Sequence, residues 1–213
     1  MTIQFSRLSS NDWFAFNKLQ THQISYVQRL IDEATSSKID YSQNLAGNIS
    51  ESLMLEDHSN FVVNNIITDF LKNTEVSPVL ECTLNYKLQS FPSISSKPLK
   101  YSLEGLWVNL QKRYEFNPIH DHHGLLSFVI WMQIPYDLSK EHSLSFTSKT
   151  NQKVASCFSF IDCTGNTTII PVDKSYEGVM CLFPSTLKHL VYPFYTSEDF
   201  RISVSGNITL SDI

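Results

Sequence analysis

From Arg201 to Leu210 polar and apolar side chains alternate without a break. Arg201, Ser203, Ser205, Asn207 and Thr209 fall on one side, and Ile202, Val204, Gly206, Ile208 and Leu210 on the other. Successive strand residues point to opposite faces, so this run specifies a β-strand with one polar and one apolar face. Leu106–Gln111 repeats the pattern, with Trp107, Asn109 and Gln111 opposite Leu106, Val108 and Leu110. Leu125–Ile134 is apolar on both faces, as a central strand covered on both sides requires. Gly178–Phe183 reads as a strand stopped at Pro184-Ser185, and Lys188–Phe194 as a further extended run. From Val79 onward short β-branched and aromatic runs are broken by Pro, Gly, Ser and Asn, which predicts a β-sandwich or barrel. Pro92, Pro98 and the serines between them mark a loop.

The first third has a different period. Ile24, Val27, Leu30, Ile31 and Ala34 recur at helical spacing, and Ser9, Ser10, Asn11 and Asp12 offer N-cap oxygens, so a helix is expected over about 12–35. Residues 36–59 are polar and turn-rich, and the group Asp57-His58-Ser59-Asn60 is placed to cap the next segment. There Val63, Ile66, Ile67, Phe70 and Leu71 form the apolar stripe of a second amphipathic helix. The expectation is a single domain over 1–213, mainly β, with helices confined to the N-terminal part (1–75) and a β core over 79–213.

A chain of 213 residues, 42% of them hydrophobic, can bury a sizeable core without dividing. The net charge of −5 and the absence of a lysine or arginine block argue against a nucleic-acid groove or a polybasic membrane surface. The longest apolar run, Leu125–Ile134, is too short for a membrane-spanning helix of ~20 residues, and the N-terminus lacks an apolar leader segment. Cys82, Cys157, Cys163 and Cys181 show no C-x-x-C spacing and are expected to be reduced core residues, which suggests a cytoplasmic setting. Oligomeric state is not legible.

Three of the seven histidines fall within His120-Asp121-His122-His123. Imidazole binds transition metals while neutral, so this density suggests a metal site, the alternative being a solvated histidine turn. On an extended chain His120 and His122 share one face, while Asp121 and His123 share the other. Two ligands leave a metal open, and His189 is the downstream candidate in an apolar context. Arg201 begins the polar face of the last strand with no acid opposite it in the strand pattern. A buried guanidinium needs a partner, and a carboxylate ligand from outside is one; a surface position or an internal salt bridge are the others. Asn109 either contacts a ligand or is a satisfied core amide.

The runs Trp107-Val108-Asn109, Asn117-Pro118-Ile119-His120-Asp121-His122, Phe183-Pro184-Ser185 through Phe194, and Arg201 through Asn207 together resemble the iron(II)- and 2-oxoglutarate-dependent oxygenases. The likeness is to the prolyl-hydroxylase-like superfamily, especially its compact group common in tailed phages of marine bacteria. The resemblance spans the C-terminal half. It implies a double-stranded β-helix (jelly roll) with helices outside the major sheet, and His120 and His189 as iron ligands. It also implies that Arg201 and Ser203 grip the distal carboxylate of 2-oxoglutarate; Asn109, on the polar face of its strand, is then placed to contact the cosubstrate or a metal-bound water. The wider superfamily carries a carboxylate two residues after the first histidine. Here His122 stands there, so either His122 or Asp121 completes the set. The implied activity is hydroxylation of a C–H bond, consuming dioxygen and 2-oxoglutarate and releasing succinate and CO2, with Trp131 and the apolar Leu125–Met132 strand holding water off the metal. The primary substrate, a protein side chain or a small molecule, is not legible. Nothing beyond the metal ligands stands out as catalytic, and the setting would be the host cytoplasm for a phage protein. Two other readings fit the same residues: a cupin-like three-histidine metal protein without 2-oxoglutarate, and a structural β-sandwich with incidental histidines.

Overall fold

The computed structural model describes residues 3–90 and 99–212. The chain opens with a hairpin, β1 (Gln4–Arg7) and β2 (Trp13–Lys18), and continues into helix α1 (Thr21–Ser37) and the short strand β3 (Ser52–Met54). A π-helical segment, Val62–Ile67, runs on into α2 (Thr68–Leu71), followed by α3 (Val76–Ser90). Then come β4 (Leu99–Gln111), β5 (Asn117–His120), β6 (Leu126–Gln133), α4 (Leu138–Ser143), β7 (Phe158–Ile161), β8 (Thr167–Ile170), β9 (Val179–Pro184), β10 (Lys188–Val191) and β11 (Arg201–Asp212).

The strands form two antiparallel sheets, a seven-stranded one in the order β1-β2-β9-β6-β11-β4-β3 and a four-stranded one in the order β5-β10-β7-β8. From β4 onward the chain passes back and forth between them: β4, β6, β9 and β11 build the centre of the large sheet, and β5, β7, β8 and β10 build the small one. That alternation is a double-stranded β-helix, the jelly roll expected. The longest ladder joins β11 to β4 from Arg201 opposite Gln111 to Asp212 opposite Leu99, and β6 flanks β11 on its other side.

Two apolar layers arise from the strand periods. Leu106, Val108, Leu110, Phe128, Ile130, Met180, Leu182, Val204 and Ile208 point outward from the large sheet and pack against Val27, Leu30, Ile31, Ile66, Ile67 and Phe70 of the helices. Intervening residues of the same strands, Val129, Trp131, Cys181 and Phe183, point between the sheets and meet Phe158, Phe160, Leu187 and Phe194. Strand β6 is therefore apolar on both faces because both are covered.

Several sequence expectations need correction. Ser9 and Asp12 do not cap a helix: the Asp12 backbone N–H donates to Ser9 Oγ (3.0 Å) and Ser9 Oγ to Asp12 Oδ2 (2.9 Å), closing the β1–β2 turn. The Trp13–Lys18 run is instead a strand, pairing with β1 from Trp13 to Phe16 and with β9 from Ala15 to Lys18, and the helix starts only at Thr21, where the Gln23 side chain accepts from the Gln20 backbone N–H (2.9 Å). Tertiary pairing overrides a helical period that is present only from Ile24 on. The cap at Asp57 is present, its carboxylate accepting from the backbone N–H groups of Phe61 (3.0 Å) and Val62 (2.7 Å). The β core starts at β4 rather than at Val79, because Val76, Val79 and Leu80 bury one side of a helix against the first apolar layer. Nor are helices confined to the first third, since α4 lies between β6 and β7. The loop expected around Pro92 and Pro98 lies outside the described residues. All four cysteines are free, but Cys82 and Cys163 are exposed and only Cys157 and Cys181 are core residues.

Gly206 marks where β11 is packed most tightly. A Cβ there would lie 2.7 Å from Phe128 Cζ and 2.8 Å from the Gly105 carbonyl oxygen, the second of which is backbone and cannot turn aside. Gly206→Ala is expected to lower the unfolding free energy by ~1–3 kcal/mol, the usual cost of overpacking. Urea denaturation of the metal-free protein measures it, and no loss at all would mean that the β4–β11 ladder yields at this point.

Candidate metal centre

Strands β5 and β10 pair with His120 opposite His189. Their rings lie 4.2 Å apart, between centroids. His122 stands two residues beyond the end of β5, held there because its backbone N–H donates to the Ser185 carbonyl (2.8 Å) while Ser185 Oγ donates to the Gly124 carbonyl (2.8 Å). The ligand atoms of His120, His122 and His189 all lie within 4.8 Å of one another. Asp121 and His123 are outside this cluster, as the alternation requires, and Asp121 is exposed.

Hydrogen bonds set the tautomers. The Nδ1 atoms of His120 and His189 lie 2.7 and 3.0 Å from the carbonyl oxygens of Pro118 and Leu187. A carbonyl only accepts, so both Nδ1 atoms carry the proton and each Nε2 presents a lone pair. Burial holds all three rings neutral. Desolvation lowers the pKa of His120 and pushes that of His189 well below the usual value, and burial together with the neighbouring His120 and His123 brings His122 down to about 4. His189 is only 5% exposed. Phe183 meets its ring edge-on at 4.9 Å and Phe158 stacks on it at 5.6 Å, so this side of the cluster is dry.

The histidines open onto a cavity of about 530 Å³ between the sheets. Arg201, Ser203, Ser205 and Asn207 of β11 and Trp107, Asn109 and Gln111 of β4 line one wall, so the polar strand faces read from the sequence point inward. Trp131 and Phe158 supply apolar wall. Asn109 is 6% exposed and its Oδ1 accepts from Ser52 Oγ (2.7 Å), which makes the amide NH2 the group it can offer to the cavity.

Arg201 is 3% exposed and forms none of the ion pairs among the described residues. It is neither a surface arginine nor one arm of an internal salt bridge. Its charge is carried by neutral acceptors: Nε and Nη2 both donate to Gln111 Oε1 (3.1 and 2.7 Å), Nη1 to Tyr136 OH (3.1 Å) and to the Ser156 carbonyl (2.9 Å), and Nη2 also to the Tyr192 carbonyl (3.0 Å). Sequence reasoning placed Gln111 on the polar face but gave it no part, and it missed Tyr136, Ser156 and Tyr192, whose convergence depends on loops with no period. It also missed the loop contributing Tyr41, Asn44, Leu45, Ala46 and Gly47 to the cavity wall. The Tyr41 ring stacks on Trp107 at 5.7 Å and Trp107 lies 5.8 Å from the His122 ring, so this loop reaches the site through two aromatic rings.

No curated protein matches the sequence. Among solved structures, a Pseudomonas putida prolyl-4-hydroxylase is similar at 10% identity and TM-score 0.48, over 92% of this chain and 91% of that one. An oxidoreductase of the 2OG-Fe(II) oxygenase family from Burkholderia pseudomallei gives 11% and 0.49, over 92% and 84%. The viral collagen prolyl hydroxylase of Paramecium bursaria Chlorella virus-1, in its 2OG complex, gives 13% and 0.46, over 92% and 94%. Residues 105–207 match the family model described as "Putative 2OG-Fe(II) oxygenase". That segment contains all three clustered histidines, Arg201 and Ser203, and over it the chain is similar to the 2OG-Fe(II) oxygenases, a family of enzymes that use iron(II), 2-oxoglutarate and dioxygen.

Proposed function

We propose that this chain hydroxylates a C–H bond of a primary substrate, a protein side chain or a small molecule, that enters the cavity between the sheets. The observation that carries the reading is the opening of three neutral imidazoles and one guanidinium without an acidic partner onto the same cavity. The donor set fits the metal: His120 and His189 present Nε2 lone pairs fixed by their Nδ1 bonds, and His122 supplies the third ligand in the place where the wider superfamily has a carboxylate. His122 is preferred over Asp121 because its ring lies with the other two while Asp121 is exposed.

When bound, iron(II) with 2-oxoglutarate and dioxygen supplies the oxidising chemistry, one oxygen atom going to the C–H bond and the other to succinate as CO2 leaves. The protein's part is placement. Arg201 and Ser203 hold the distal carboxylate of 2-oxoglutarate, and Asn109 offers its amide NH2 beside them. Three neutral ligands leave a divalent ion with its full charge, so the site as a whole favours a dianionic cosubstrate. Trp131, Phe158 and Phe183 exclude water from the metal side of the cavity.

Metal content measured by plasma mass spectrometry is expected to be stoichiometric in the wild type and to fall to background in His120→Ala and His189→Ala. His122→Asp should retain metal and Asp121→Ala should leave it nearly unchanged; loss of metal in Asp121→Ala would make Asp121 the third ligand. Imidazoles with lowered pKa values remain deprotonated below the usual range, so metal should be retained at pH 6 and released only as pH falls toward the His122 value of about 4. Release centred near the ordinary histidine pKa of about 6.5 would mean that the rings are hydrated.

Calorimetric titration of 2-oxoglutarate into anaerobic iron(II)-loaded protein tests the other end of the cavity. Truncating one side of a buried charged pair costs ~2–5 kcal/mol, tens- to thousands-fold in affinity. Arg201→Ala should abolish measurable binding, Arg201→Lys weaken it substantially because lysine lacks the fork, and Ser203→Ala weaken it mildly, all with metal retained. Equal binding by the wild type and Arg201→Ala would point to a three-histidine metal protein that does not use this arginine.

A further inference from the structure

Of the four groups that accept from Arg201, only Gln111 lines the cavity; Tyr136, Ser156 and Tyr192 do not. Gln111 Oε1 accepts from Nε and Nη2 at once, which is the side-on edge where a guanidinium takes the two oxygens of a carboxylate. Seen from the cavity, a neutral amide therefore occupies the place an incoming carboxylate needs. The other donors are turned toward the Ser156 and Tyr192 carbonyls and the Tyr136 hydroxyl, and hold the guanidinium in position whatever happens at the cavity edge.

We propose that Gln111 is a placeholder for the cosubstrate carboxylate and a determinant of its affinity: 2-oxoglutarate binds only as the Gln111 amide swings away from Arg201. This rests on the assignment of Arg201 as the carboxylate-binding residue. Gln111 is 4% exposed and paired across the β4–β11 ladder with Arg201 itself, so the backbone fixes the residue beside the guanidinium and moving the amide aside requires a change of side-chain torsions alone. Its Nε2 donates to the Glu115 carbonyl, a contact that biases the amide toward the closed arrangement. An arginine buried without a carboxylate would otherwise be left with unsatisfied donors whenever the cavity is empty, and the amide relieves that at a lower cost in affinity than an acid would. A glutamate at this position would satisfy Arg201 as a full ion pair and shut the carboxylate out.

Two near-isosteric variants separate a placeholder from a binding residue. Gln111→Met removes the acceptor and keeps the volume, and Gln111→Glu replaces the amide with a carboxylate. 2-Oxoglutarate is titrated calorimetrically into each iron(II)-loaded protein under anaerobic conditions, with metal content and thermal unfolding recorded in parallel. The expected result is several-fold tighter binding by Gln111→Met and at least tenfold weaker binding by Gln111→Glu, with metal unchanged in both. Weaker or unaltered binding by Gln111→Met overturns the proposal, because the amide would then be helping to hold the ligand or standing clear of it. If Gln111→Met unfolds, Gln111→Asn decides: its shorter side chain retracts the acceptor, so binding should still tighten, and weakening overturns the proposal. Failure of the underlying assignment looks different: Arg201→Ala would then bind 2-oxoglutarate as tightly as the wild type, or neither the wild type nor any variant would bind it, with metal retained throughout.

Discussion

The pairing of β11 between β4 and β6 is the constraint on which the rest depends. A strand has a side-chain period of two, so its register decides as a block which residues enter the barrel and which face the helices. With Ile202 opposite Leu110, Val204 opposite Val108 and Ile208 opposite Leu103, the apolar faces of both strands turn toward α1 and the helical segment from Val62 to Leu71. Arg201, Ser203, Ser205 and Asn207 then enter the cavity together with Gln111, Asn109 and Trp107. A slip of one residue would expose the apolar layer and carry the guanidinium out of the barrel, so stability and ligand binding are secured by the same register.

Much of this arrangement was legible because it depends on period. The alternation from Arg201 to Leu210, the two-faced apolar run at β6 and the H-x-H spacing each encode a geometric fact, and the structure places these residues as the periods require. The features that the periods left out are equally physical. The Trp13–Lys18 run becomes a strand because β9 offers it a ladder, and nothing local to those residues states that. Val76–Ser90 is helical although Val79 onward has a β-like composition, since its buried residues meet an apolar layer already built by distant strands. The acceptors around Arg201 come from strand β4 and from loops far apart in sequence, and their convergence is a property of the closed barrel.

The electrostatics of the cavity are set by which of its groups are buried and what they meet. The three clustered imidazoles are held neutral by burial, the phenyl rings around His189 exclude water, and the buried guanidinium of Arg201 is satisfied by neutral acceptors, while the carboxylates that line the cavity are those of Glu104 and Asp121. Around Arg201 the cavity wall therefore carries a local positive charge, in a chain whose net charge is −5. Selectivity for an anionic cosubstrate is therefore local to the barrel, and the overall charge of the molecule opposes it.

The turn after β9 links elements that are distant in sequence. Ser185 accepts from the His122 backbone N–H through its carbonyl and donates through its hydroxyl to Gly124, while a few residues on, the same segment delivers His189. The three imidazoles are thus mounted on two short stretches of chain clasped to each other rather than on three independent supports. If these imidazoles take up a cation as proposed, little of the chain would have to be ordered on its arrival, so the ordering cost that reduces affinity would be small. A disturbance anywhere along that clasp would displace the three imidazoles jointly, so their cluster would be lost as a unit rather than one ring at a time.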